Sequence, residues 1–203
     1  MGIKKIALML VAAAGFALGN AQATVYTSET AFETVNPGLT TVGFEGITSS
    51  IAYFPSPYTV GGISFSSIHN TVLDQSWWTS PFDHLIVNAF NSPLTMTFAD
   101  ASQIGLRVSS GYQGVSGLLN FSLLNDGNTV YSGNATIAGV NVFSFIGFDG
   151  LGLFDTLVIS TTNSSQFIGI GEVQYGTAVP EPASLALLGL GLLGFAAARR
   201  RKQ

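Results

Sequence analysis

The chain has 203 residues, 47% of them hydrophobic and 9% charged, with 11 acidic residues against 7 basic ones and a formal net charge of −4. Between Thr24 and Val179 stand ten acids and a single base, Arg107, a local charge of −9 that repels phosphate backbones and excludes nucleic-acid binding. There is no cysteine, which excludes disulfides, thiolate metal sites and thiol nucleophiles and leaves the core alone to hold the fold.

Residues 1–23 read as a secretory signal peptide. Lys4 and Lys5 supply the positive start, residues 6–18 the apolar stretch, and Ala21-Gln22-Ala23 a small-x-small cleavage site. A permanent anchor fits less well, because the apolar run is short and the cleavage site follows it directly. A mature start at Thr24 follows, and residues 24–177 suffice for one domain of ordinary size.

That body reads as short strands between turns. Residues 28–35 are expected to form a helical turn capped by Thr27 or Ser28 and ended by Asn36-Pro37-Gly38. Strands are expected at 40–45, 58–67 (with Gly61-Gly62 inside), 85–90 and 93–99. In the last of these Leu94, Met96 and Phe98 alternate with Thr95 and Thr97. Ile104, Leu106 and Val108 alternate likewise, as do Leu119, Phe121 and Leu123, which run into a turn at Asn125-Asp126-Gly127-Asn128 with a hairpin return at 129–132. Strands at 140–148, 157–161 and 166–175 complete about ten. No helical period of useful length occurs between Gly38 and Gly176, and no repeat of 20 to 50 residues is present. The fold class is therefore all-β: an antiparallel sandwich, with a jelly-roll, galactose-binding-like topology as first choice and a closed barrel as second.

His69, Asp74, Trp77, Trp78, Asp83 and His84 crowd into sixteen residues and include both histidines and both tryptophans of the chain. As a glycan-contact loop, Trp77 and Trp78 would stack on pyranose rings while Asp83 and His84 bond hydroxyls. The simpler reading, which we favour, has the tryptophans covering the sandwich edge and the polar residues on a solvated loop. Catalysis is weaker still. No G-x-S-x-G elbow occurs, and Asp74 with Asp83 is the one carboxylate pair that a glycosidase would use. No cofactor is called for. The histidine spacing matches no zinc site, and no D-x-[DN]-x-[DN]-G loop exists; structural calcium would draw on Glu45, Asp149, Asp155 and Glu172. Asn120, Asn134 and Asn163 open N-x-[ST] sequons, a pattern short enough to arise by chance in this composition.

The tail, residues 178–203, is ordered in three parts. Pro180-Glu181-Pro182 is rigid, because each proline fixes φ and lacks a donor. Residues 183–198 are uncharged and rich in Leu, Ala and Gly; as a helix they span roughly 24 Å, slightly under the ~30 Å of a hydrocarbon core. Arg199, Arg200, Arg201 and Lys202 then form a cationic cap that stays cytoplasmic by the positive-inside rule. The reading is a single transmembrane helix whose shortfall is met by thinning and snorkelling.

Val179, Pro180-Glu181-Pro182, the apolar helix and the terminal arginines together resemble the PEP-CTERM sorting signal, also described as the ice-binding protein C-terminal domain. The resemblance implies an exosortase, an integral-membrane protease, as partner, with Pro180, Glu181 and Pro182 as its recognition segment. It implies export across the cytoplasmic membrane of a Gram-negative-type bacterium, transient anchoring, then release to the cell surface or matrix. Ice binding would need a flat, regular threonine array, which Thr95 and Thr97 alone do not supply. Residues 42–46, 61–65, 145–148 and 157–160 resemble the unnamed extracellular domains that precede this tail. Those domains close on an Ile-Asp-Asp-Val-like strand where this chain has Ile170-Gly171-Glu172-Val173, one carboxylate fewer, which weakens a calcium site there. The expected function is a non-catalytic surface or exopolysaccharide-matrix (biofilm) protein; a carbohydrate-binding module is the alternative and an extracellular hydrolase the third reading.

Overall fold

Alternation with a period of two gives each strand one apolar and one polar face, and two sheets that share an apolar layer bury both apolar sets at once. In the computed structural model, which describes residues 23–44, 51–54, 56–67, 70–74, 84–87, 92–111, 117–137, 142–162 and 167–177, this is how the chain folds. Its strands are β1 (Thr24–Tyr26), β2 (Thr40–Gly43), β3 (Ile51–Phe54), β4 (Tyr58–Val60), β5 (Ile63–Ser66), β6 (Asn70–Asp74) and β7 (His84–Val87). There follow β8 (Leu94–Ala101), β9 (Gln103–Gly111), β10 (Gly117–Asn125), β11 (Asn128–Ile137), β12 (Ser144–Asp149), β13 (Phe154–Thr161) and β14 (Phe167–Gly176). Among the described residues one helix, α1, spans Glu29–Val35.

The first sheet has the order β1-β12-β9-β14-β7-β6-β3, with β2 also paired to β14; the second has the order β11-β10-β13-β8-β5-β4. Every pairing is antiparallel. From β8 to β14 the chain changes sheet at each connection except the β10–β11 hairpin, so most consecutive strands lie in opposite sheets. That hairpin turns on Asp126 and Gly127, both at positive φ (49° and 77°), the geometry of a type I′ turn.

Leu94 and Met96 of β8, Leu119, Phe121 and Leu123 of β10, and Leu157 and Ile159 of β13 point inward from the second sheet. Ile104, Leu106, Val108, Ile146, Phe148, Ile168, Ile170 and Val173 answer from the first. Phe121 meets Phe148 at 5.6 Å between ring centroids, and Phe44 meets Phe65 edge-on at 5.5 Å. Each such side chain contributes about 1.5–3 kcal/mol by leaving water. In β14 the register shifts between Ile170 and Glu172. That bulge at Gly171 lets Ile168, Ile170 and Val173 all face the core while Glu172 turns outward.

The outer face of the first sheet is closed by α1. Ser28 caps it, accepting from the Ala31 N–H at 3.4 Å, and Asn36 ends it. Phe32, fully buried, drops onto Gly105 and Gly147, which lie opposite each other on β9 and β12. A methyl group on either glycine would stand 2.7 Å from the Phe32 ring, so only glycine admits it. Tyr26 and Phe145 flank the ring at 5.5 and 5.4 Å.

Several expectations change. The single strand expected at 58–67 is the hairpin β4–β5, because Gly61 and Gly62 take φ of +56° and +81° and turn the chain. The hairpin return expected at 129–132 runs on to Ile137, and the strand expected at 140–148 is described from Ser144 to Asp149. β1, β3 and β6 have no strong alternation and were not expected. Of the signal peptide expected at 1–23, residues 1–22 lie outside the described residues, as does the helix expected at 183–198. Among the described residues no helix is long and apolar enough to cross a membrane.

If Phe32 is the plug, Phe32→Ala should cost about 3–5 kcal/mol in equilibrium denaturation. Gly147→Ala should cost about 1–3 kcal/mol by overpacking. Gly147→Ala should cost far less once Phe32 is already alanine, and a double-mutant cycle with no coupling would contradict the contact.

Candidate functional site

The two outer faces of the sandwich differ in chemistry. Around α1 the first sheet gathers charge: Arg107 holds Glu29 with both arms, Nε at 3.1 Å from Oε1 and Nη2 on Oε2. The Gln174 amide nitrogen donates among Glu33 (2.9 Å), Glu29 (3.2 Å) and Glu172 (3.2 Å). Two hydrogens are thus shared by three acceptors, and the buried Gln174 Oε1 has no partner. On the far side of Phe32, Tyr26 donates to Asp149 at 2.9 Å, and Asn36 reaches the same oxygen at 3.4 Å. Burial first, then that bond to a carboxylate, raises the Tyr26 hydroxyl above its usual pKa. These groups fasten α1 to the sheet. A cavity of about 210 Å³ lies beside them, lined by Glu33, Asn36, Leu39, Thr41 and Gln174 among others. Another of about 430 Å³ is lined by Val35, Gln103, Asp149 and neighbours.

Among the described residues, the outer face of the second sheet carries no helix and no charge in its paired rows. Cross-strand register sets Asn134, Asn120 and Ser160 side by side across β11, β10 and β13. The next row is Ser132, Ser122, Val158, Thr95 and Ser66. A third runs Leu124, Thr156, Thr97, Ser64 and Thr59. All of these are exposed or half-buried. Neighbours within a row stand about 4.8 Å apart and successive rows ~7 Å apart, giving a grid of mostly hydroxyls and amides with Val158 and Leu124 set among them. The Thr156 hydroxyl is engaged, donating to Asp155 at 2.8 Å. Thr95 and Thr97 therefore belong to a longer hydroxyl array than the sequence suggested, contributed by strands far apart in the chain.

The residues singled out in the sequence fare unevenly. Trp77, Trp78 and Asp83 lie outside the described residues; His84 opens β7 and pairs with Asp74, so 75–83 form the β6–β7 connection. Ala21, Pro180, Glu181, Pro182, Arg199, Arg200, Arg201 and Lys202 also lie outside them, and Ala23 is half-buried beside β1. The described calcium donors do not converge. Asp149 is held by Tyr26 and Asn36, Asp155 by the Asp126 amide and Thr156, and Glu172 by Gln174, while Glu45 is outside the described residues. Among the described residues no group of three His, Asp or Glu is placed to hold a metal. The sequons at Asn120 and Asn134 sit opposite each other on the open face.

Residues 178–202 match the family model of the PEP-CTERM protein-sorting motif. The chain carries a PEP-CTERM sorting signal. That signal indicates export and sorting to the cell surface, with processing by exosortase, a membrane protease. No curated protein matches the chain at significance. Among solved structures it is similar to a family 29 carbohydrate-binding module from Piromyces equi: 11% identity, TM-score 0.34, 81% of this chain and 99% of that one. It is also similar to the enzymatically active domain of tailspike protein 4 from bacteriophage CBA120: 16% identity, TM-score 0.30, 64% of this chain and 20% of that one. The architecture of the body rests on its own strand order.

The Asp155 carboxyl, bonded first by the Thr156 hydroxyl and then by the Asp126 amide, titrates below its usual range. A carboxyl depressed on folding stabilises the fold above its unfolded pKa and loses that contribution as pH falls through the folded value. Thermal melts from pH 6 to 2 should therefore show the gap between wild type and Asp155→Ala closing below about pH 4. A gap that widened on acidification would contradict the assignment.

Proposed function

We propose that this PEP-CTERM protein is a non-catalytic component of the cell surface or exopolysaccharide matrix, and that its body is a jelly roll applied to neutral polysaccharide through the open face of the second sheet. The jelly-roll reading is supported by the order β12-β9-β14-β2 in one sheet and β11-β10-β13-β8 in the other, joined by alternating crossovers. The functional reading is carried by one observation, the uncharged hydroxyl and amide grid of the second sheet's outer face. Neutral polysaccharide presents ring faces and hydroxyls but no charge. A surface rich in fixed charge would be desolvated against it at a loss, whereas serine, threonine and asparagine exchange water for sugar hydroxyls at little cost.

Charge elsewhere supports a binding role rather than a catalytic one. Glu29 is occupied by Arg107, Asp149 by Tyr26 and Asn36, and Asp155 by its two donors, each a structural engagement. Sorting by exosortase brings the body to the place where such a polymer is found. The apolar stretch 183–198 holds it at the membrane until processing.

Retention of the full-length protein on an insoluble neutral glucan, and on polysaccharide from the producing cells, tests this. Removing three hydroxyls with Thr95→Ala, Thr97→Ala and Ser122→Ala should lower retention at least about tenfold, given ~1 kcal/mol per lost hydrogen bond. The melting temperature should be nearly unchanged. Undiminished retention would refute the open face as the contact. Loss caused by Trp78→Ala alone would move the contact to the β6–β7 connection.

A further inference from the structure

Gly105 and Gly147 lie opposite each other under Phe32, and the period of two carries the same outer face one step further along each strand. That step is Gln103 on β9 and Asp149 on β12. The antiparallel register, Gly147 with Gly105 and Phe148 with Ile104, brings the two next to each other just past the ring. Here both line the cavity of about 430 Å³, where α1 finishes at Val35 and β12 runs out into Gly150 and Gly152. Both glycines stand at positive φ (74° and 77°), and nothing lies within 4 Å of where a Cβ on Gly152 would be. The mouth is therefore bounded by glycine backbone and by the isopropyl group of Val35, which is 55% exposed.

The polar groups on this wall are only partly used. Asp149 is fixed by two donors, the Tyr26 hydroxyl and the Asn36 amide, and both fall on Oδ2. Its Oδ1 has no partner among the described residues. Gln103 is only 9% exposed, and its side-chain amide makes no hydrogen bond among the described residues. A primary amide drawn that far from water without a partner costs free energy, which a bound group able to donate and accept would recover.

We propose that this end of the sandwich binds one neutral sugar residue. Asp149 Oδ1 accepts from its hydroxyls, the Gln103 amide both donates and accepts, and Val35 lies against its C–H groups. The ligand class follows from the donor set. A calcium ion takes about six to eight oxygens, whereas Asp149 is the one acid among the described residues lining the cavity. An anion would meet the Asp149 carboxylate and be repelled. A neutral polyol gives hydrogens to the carboxylate and exchanges them with the amide, and the cavity falls within the ~300–1,000 Å³ of small-ligand sites. The site belongs to the first sheet, so it is independent of the open face of the second.

Isothermal titration of the full-length protein, purified in a non-glycosidic detergent, tests this with the methyl α- and β-glycosides of glucose, galactose and mannose. At least one should bind saturably and one-to-one, and raising NaCl to about 0.5 M should leave its affinity within about twofold. Gln103→Leu should weaken that binding at least about tenfold, through one or two lost hydrogen bonds. Its melting temperature should be equal or higher, because no internal bond of Gln103 is given up. Asp149→Asn, which keeps the size of the side chain and can still accept from Tyr26, should weaken binding by a similar factor. The triple variant Thr95→Ala, Thr97→Ala, Ser122→Ala should bind the glycoside as wild type does, whatever its retention on insoluble glucan. Absence of binding by all the glycosides, undiminished binding in Gln103→Leu, or loss of binding in the triple variant would each overturn the proposal.

Discussion

The body depends on one apolar layer shared by two sheets, with no covalent link to support it. Every inward position must therefore be filled, and the chain uses local irregularity to fill them. The bulge at Gly171 resets β14 so that Ile168, Ile170 and Val173 share a face. The shift between Phe154 and Thr156 does the same for Phe154 and Leu157 in β13. Without these offsets a polar residue would enter the layer and an apolar one would leave it.

Once the layer is fixed, the two outer faces are free to differ. The first sheet gives up side chains at Gly105 and Gly147, and Phe32 occupies the space. Its helix then carries Glu29 and Glu33 to Arg107 and Gln174, so most of the charge described on this face is engaged in fastening α1. The second sheet keeps mostly hydroxyl and amide side chains, with Val158 and Leu124 among them, and no helix over them among the described residues. A sealed, charged face and an open, uncharged one follow from the same alternation, and the division suits a body displayed outside the cell.

Legibility in the sequence followed from how local each signal was. Leu94, Met96 and Phe98, or Leu119, Phe121 and Leu123, announce their strands because alternation and burial coincide. The sorting motif was legible because Pro180-Glu181-Pro182, the apolar run and the arginines are contiguous. β1, β3 and β6 were missed since three to five residues carry too little pattern, and the β4–β5 turn since paired glycines sit inside an apolar run. The open face was invisible in principle: Ser66, Thr95, Val158, Ser122 and Ser132 form one row only after five strands have paired. Asp149, Asp155 and Glu172 show the converse, as carboxylates grouped by type alone have separate partners in the fold.

The body can meet a matrix polymer only if it is delivered to the outside of the cell. Intact-mass measurement on protein shaved from the surface of producing cells tests it directly. The expected species begins at Thr24 and lacks the apolar stretch 183–198 and the arginines beyond it. Recovery of the chain from the cytosol alone, with residues 1–23 and 183–203 still attached, would contradict it.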